Sequence, residues 1–227
     1  TTLAAAELDD HGSATYRFYL TDTSAPALDE VPAAAASADT VHVGTLGLVL
    51  EPMATTLVAH LHRLEPLHLG AARELHLHRL ADDVLVITDP NCRARVIPDR
   101  TADLARLDGV YDRTHVVKIS TDDAEYLAPD VDPVDLARAL VGRGVRAALV
   151  TAGKDATYVV TPHDVTALPT PTVQVADTIG AGDSFCGGFL AWWRGNGFGV
   201  AELDDHARVV QAARAAQAVS AFTVTQV

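Results

Sequence analysis

Residues 177–189 read Asp177-Thr178-Ile179-Gly180-Ala181-Gly182-Asp183-Ser184-Phe185-Cys186-Gly187-Gly188-Phe189. Glycines on either side of Ala181 let the backbone turn so that successive N–H groups point into one concavity. An apolar helix is expected from about Ser184 to Arg194, and its positive N-terminal end opens on the same concavity. The result is an anion hole suited to a phosphoryl group. Asp183 stands at its lip, where a carboxylate can accept the proton of an attacking hydroxyl. Spacing alone also allows a plainer arrangement, a glycine turn before a helix with Asp183 as its cap. Both readings stay open at this level.

Upstream, short apolar strands alternate with helices. Residues 83–88 form a strand that runs into Asp89-Pro90-Asn91. Residues 114–119 form another that runs into Ser120-Thr121-Asp122-Asp123, a helix-capping sequence for 122–128. A helix over 133–142 precedes Gly144 and a strand at 145–151, and residues 156–160 are expected to pair antiparallel after the Ala152-Gly153-Lys154 turn. Residues 40–49 read as a buried strand ending in glycines. A helix from Pro52 to about His62 follows, and another is expected around 67–80. At the N-terminus, 1–8 and 14–20 flank a turn-forming cluster and predict a β-hairpin. Residues 162–175 read as a proline-rich connector and 200–219 as a last long helix. This alternation implies an α/β fold, a mostly parallel sheet with helices on both faces.

Composition narrows the function. The chain has 227 residues with 17 basic and 30 acidic side chains, a formal net charge of −13. A dedicated nucleic-acid or anionic-membrane binder needs a basic face, so neither partner is expected. Cys92 and Cys186 are too few for a disulfide scaffold, and residues 1–20 lack the pattern of a secretory leader, so a cytoplasmic location is expected. Only Lys118 and Lys154 are lysines; the other basic residues are arginine. His60/His62 and His76/His78 are spaced i, i+2 and share no helix face, so a zinc site is not expected. Cys186 and Trp192-Trp193 read as packing residues.

The segment DTIGAGDSFCGGF resembles the C-terminal signature of the ribokinase-like (PfkB) carbohydrate kinases. The opening TTLAAAELDDHGSATYRFYLTDTSAPAL, then VHVGTLGLVLEPMA, VLVITDPNCR and VVKISTDDAEYL, are similar in order to segments of the family's fructokinases. The resemblance implies a ribokinase-like fold, with residues 1–24 as part of a small β lid and 25–227 as the kinase body. It further implies that Asp183 is the catalytic base and that the amides of Gly180, Ala181 and Gly182 form the anion hole. Thr151, Gly153, Lys154 and Lys118 fall in nucleotide-binding segments. Ser120 and Asp123 stand where the family has Asn and Glu, and with Asp177 and Thr178 they would serve the metal and phosphate network. Asn91 and Arg93 would reach substrate or phosphate. Ala156 replaces a glycine of the nucleotide loop; if that position needed a positive φ, its Cβ would cost on the order of 1 kcal/mol.

The same resemblance implies ATP and Mg2+ as cofactors, a monovalent cation such as K+, a small sugar as substrate, and a homodimer paired through the lid. The expected reaction is ATP-dependent phosphorylation of a sugar hydroxyl, fructose first and 2-keto-3-deoxygluconate as the rival. Relatives carry a further segment ahead of the position of Thr1, with a sugar-binding Asp and a Gly-Gly motif, and another after that of Val227. Both ends therefore read as cuts, and a weak or inactive chain, or a non-catalytic nucleotide-binding protein, is the expectation from another class.

Overall fold

The computed structural model describes residues 3–8, 14–20, 22–32, 38–63 and 84–226. The N-terminal hairpin forms as expected: β1 (Leu3–Leu8) pairs antiparallel with β2 (Ala14–Tyr19), Leu3 opposite Tyr19. The main sheet has six strands in the order β3 (Thr40–Gly44), β4 (Leu85–Asp89), β5 (Val116–Ser120), β6 (Ala147–Ala152), β7 (Ala156–Val160) and β8 (Val165–Pro169). β3 to β6 run parallel, while β7 and β8 are added antiparallel.

Strand alternation sends two sets of side chains to two helical layers. Val43, Val86, Val117, Ile119, Ala148 and Val150 face a layer made by α1 (Met53–Arg63), α2 (Arg100–Tyr111), α3 (Thr121–Leu127) and α4 (Pro133–Gly142). Leu85, Ile87, Val116, Ala147 and Leu149 face α5 (Ala181–Gly195) and α6 (His206–Thr223). On that side Trp193 and Phe189 stack at 5.6 Å, 0% and 1% exposed. Each such ring removed from water contributes on the order of 2–3 kcal/mol. Gly188 lets α5 approach α6, because a Cβ there would stand 3.0 Å from the Ala216 backbone.

Side-chain oxygens start the helices. Asp99 Oδ1 accepts from Thr101 N and Ala102 N at the head of α2, Asp132 Oδ1 accepts from Val134 N ahead of Pro133, and Asp205 Oδ1 accepts from Arg208 N.

Several boundaries differ from expectation, among them the start of α5, at Ala181 rather than about Ser184. The strand expected over 40–49 stops at Gly44, because Thr45 takes a φ of +54° and opens a 3-10 turn to Leu48. The connector at 162–175 contains β8, whose Pro169 is tolerated at the end of an edge strand. Residues 100–111, unassigned from sequence, form α2 behind the Asp99 cap. The last helix begins at His206 rather than 200, where Asp205 provides the cap. The helix expected around 67–80, with its histidines, lies outside the described residues.

Candidate active site

The carboxyl ends of the parallel strands meet the first turn of α5. Gly44 lies opposite Asp89 on neighbouring β3 and β4, and Lys118 follows on β5. All three turn toward the α5 side of the sheet, the side of Ile87 and Val116. Lys118 Nζ donates to Asp89 Oδ2 at 3.0 Å, and both side chains are almost fully buried. Among the described residues Asp89 Oδ1 has no hydrogen-bond partner. Burial pushes the Asp89 carboxyl up against the pull of Lys118. Burial, the largest single influence, would lower Lys118, but the facing Asp89 carboxylate together with Cys186 and Asp123 holds the ammonium above its ordinary value. By geometry the two form a buried ion pair. Cys186, one turn along α5, points its Sγ at the same oxygen from 3.9 Å, and burial pushes that thiol up to about 12. Its packed, unreactive environment accords with the reading from sequence.

Above this pair the backbone turns at Gly180, where φ is +77°, and enters α5 with no side-chain cap. The Ala181 N–H, expected as part of the anion hole, instead donates to the Thr178 carbonyl at 3.2 Å, and Ser184 N donates to Gly180 O at 2.8 Å as the helix closes. Gly182 and Asp183 are first-turn residues, whose N–H groups have no intrahelical acceptor. Ser220 Oγ donates to Ala181 O at 2.9 Å and ties the turn to α6. Gly182 lies directly over the buried pair: a Cβ there would stand 3.0 Å from Lys118 Nζ and 3.8 Å from Asp89 Oδ2. Asp183 is exposed beside it. His42, on β3, comes under the influence of both Asp89 and Asp183. Desolvation of its ring outweighs their pull and holds it below the usual imidazole value, although part of the ring is open to solvent.

Asp123 is 2% exposed and fully engaged. Its Oδ2 accepts from Ser120 N at 2.8 Å and Ser120 Oγ at 2.7 Å, while Asp123 N donates back to Ser120 Oγ at 3.0 Å. This is a reciprocal capping box at the head of α3. Asp123 Oδ1 accepts from Cys92 N at 2.7 Å and thereby holds the Asp89–Arg93 turn onto the α3 N-terminus. Within that turn Asn91 has a φ of +43° and its Nδ2 donates to Thr45 Oγ1 at 2.9 Å, so the ends of β3 and β4 are cross-linked. Arg93 is half-buried in the same turn.

The β6–β7 turn carries the remaining residues. Gly153 takes the positive φ of +51°, and its carbonyl accepts from Thr170 Oγ1 at 3.0 Å. Thr151 Oγ1 lies 3.5 Å from Ile119 O, and Lys154 is exposed at the tip. Ala156 sits in β7 opposite Ala152, with no positive φ, so the backbone cost considered for it does not arise. Asp177 Oδ1 accepts from Ile179 N at 2.8 Å, which shapes the entry to the glycine turn; Thr178 is exposed. The structure thus brings Gly180–Asp183 and Lys118 together, groups Ser120, Asp123 and Asn91 beside them, and leaves Lys154 at a separate turn.

His42, Gly44, Thr45 and the pairing of Asp89 with Lys118 do not stand out in the sequence. One signal was present: Lys118 is an ionisable residue inside an otherwise apolar strand, and such a charge needs a buried partner. Among the described residues no group of three or more His, Cys, Asp or Glu could hold a metal ion. No helix among the described residues is long and apolar enough to cross a membrane.

The described residues thus form an α/β sheet covered on both faces, with a glycine-turned helix N-terminus and an acid at its lip. The model of the pfkB family carbohydrate kinases matches residues 1–227, and the chain belongs to that family. It is 28% identical over 183 residues to a fructokinase of Rhizobium leguminosarum bv. trifolii, covering 80% of this chain and 51% of that protein. It is 28% identical over 188 residues to probable fructokinase-5 of Arabidopsis thaliana, covering 82% and 52%. The chain spans about half the length of the curated relatives it matches. Among solved structures, fructokinase with bound ATP from Xylella fastidiosa superposes with a TM-score of 0.80 at 25% identity, covering 100% of this chain and 68% of that one. Fructokinase from Vibrio cholerae O395 bound to fructose, ADP and calcium superposes at 0.77 and 21% identity, covering 100% and 68%, and shows the same fold.

Proposed function

We propose that this protein transfers the γ-phosphoryl of ATP to a sugar hydroxyl, with fructose as the acceptor. The single observation that carries the reading is the placement of Asp183 on the first turn of α5, beside the Gly182 and Asp183 amides and above a buried cation. Phosphoryl transfer needs little covalent help from a protein; it needs alignment and stabilisation of spreading negative charge. The first-turn amides supply donors for the equatorial oxygens. The Asp183 carboxylate accepts the hydroxyl proton as the sugar oxygen attacks, and the β-phosphate leaves with the bridging oxygen. Asp123 fixes the Asp89–Arg93 turn, from which Asn91 and Arg93 approach the substrate. Thr151, Gly153 and Lys154 border the nucleotide. When bound, magnesium would neutralise the phosphate charge, and the Asp177–Thr178 stretch is the place for a monovalent cation. The hairpin within 1–24 serves as the lid, through which two copies pair.

The choice of fructose rests on relatives named fructokinase. The test is ADP formation in a coupled assay with ATP, magnesium and a panel of sugars. Fructose is expected to support the highest kcat/KM. A higher value with 2-keto-3-deoxygluconate would reassign the substrate. No sugar-dependent ADP despite binding of an ATP analogue would replace the kinase reading with that of a nucleotide-binding protein.

A further inference from the structure

We propose that Lys118 is a positioning residue for the phosphoryl site, a buried cation that supports the first turn of α5 from below and adds positive charge to it without touching the nucleotide. This rests on the reading of that turn as the phosphoryl site. The ion pair with Asp89 is oriented: Lys118 Nζ lies 3.0 Å from the Cβ position of Gly182, whereas Asp89 Oδ2 lies 3.8 Å away. At Gly182 the positive end therefore lies nearer the helix, while Asp89 Oδ2 meets α5 one turn on, at Cys186. Lys118 is only 6% exposed, beneath the turn rather than in the open cleft.

The arrangement works against folding. A cation under a helix N-terminus opposes the helix dipole, and a buried ion pair commonly contributes less stability than apolar residues of the same volume. Its surroundings are apolar, with Ile87, Val116, Leu149 and Phe185 in the same packed layer. The pair is also incompletely satisfied, since Asp89 Oδ1 has no partner among the described residues. The other charged or titratable groups around it include His42, Cys92, Asp123, Asp183 and Cys186. A phosphoryl group on the first-turn amides reverses the balance, because the same ammonium then attracts the anion through a short, low-dielectric path. Gly182 fits this role: without a side chain it lets the helix backbone settle over the ammonium.

The test compares affinities for the imido analogue of ATP and for ADP by calorimetry, in the wild type, Lys118→Met, Asp89→Asn and the double variant Asp89→Asn/Lys118→Met, with melting curves on each. The wild type is expected to bind the triphosphate analogue more tightly. Removing the ammonium, singly or in the double variant, is expected to cut that preference about tenfold or more while ADP affinity holds. The double variant should melt near the wild type, since no unpaired charge is left. Asp89→Asn alone should keep or sharpen the preference. If Lys118→Met does not fold, the double variant decides. A folded double variant with the wild-type preference would show that Lys118 only neutralises Asp89. No preference in the wild type would instead overturn the reading of the turn as a phosphoryl site, and this inference with it.

Discussion

Gly44 and Asp89 face each other across β3 and β4 so closely that a Cβ on Gly44 would stand 1.9 Å from the Asp89 carbonyl oxygen. Gly44 itself is extended, with φ 173°, a conformation any residue adopts. The requirement is for space, and the atom in the way is backbone. Gly44→Ala is therefore expected to force the two strand ends apart and cost about 3 kcal/mol. Urea denaturation measures this.

The glycines of α5 divide by the same reasoning. Gly180 needs its positive φ of +77°, so Gly180→Ala should cost about 1–2 kcal/mol. Gly187 is exposed within the helix, with nothing within 4 Å of a Cβ. Gly187→Ala should stabilise the protein by about 0.5–1 kcal/mol. Thermal melting of the two variants should move in opposite directions.

The capping box separates two residues that look alike in sequence. Ser120→Ala removes one cap oxygen and should cost about 1 kcal/mol. Asp123→Ala removes the acceptor of Ser120 N, Ser120 Oγ and Cys92 N together, and should cost about 3 kcal/mol. It also releases the turn that carries Asn91 and Arg93. Denaturant titration checks the order, and a larger loss of sugar turnover in Asp123→Ala than in Ser120→Ala checks the second effect.

His42 provides a pH prediction. Its folded pKa is lowered, by burial first, with Asp89 and Asp183 opposing. The unfolded chain then binds a proton at a higher pH than the folded one. This contribution to stability is present above about pH 6.5 and is lost as the pH falls from there toward the folded value. NMR titration of the His42 ring should give a midpoint below 6.5, and His42→Gln should flatten this part of the stability profile.

Much of the fold is legible in the sequence because local chemistry and tertiary packing agree there. Strands rich in Val, Ile and Leu end in capping residues, and the helix over 133–142 was recognisable from Asp132-Pro133 at its start. α2 was not, because its apolar stripe is weak and its start depends on the single Asp99 cap. β8 was hidden because Pro169 and its neighbours read as a connector, while antiparallel pairing with β7 made it a strand. The glycine turn and Asp183 were legible because the motif is contiguous. The Asp89–Lys118 pair was not, because the partners lie on separate strands and meet only once β4 and β5 are side by side. Likewise, the engagement of both Asp123 oxygens depends on Cys92, far away in the chain.

The role of Asp183 is tested most directly by fructose-dependent ADP release from the wild type and from Asp183→Asn, with the affinity for an ATP analogue measured in parallel. Replacing the carboxylate by an amide leaves the shape of the α5 turn but removes the proton acceptor. The account predicts a fall in kcat of about a thousandfold with analogue affinity held within about threefold. A variant that turns over at close to the wild-type rate would contradict it.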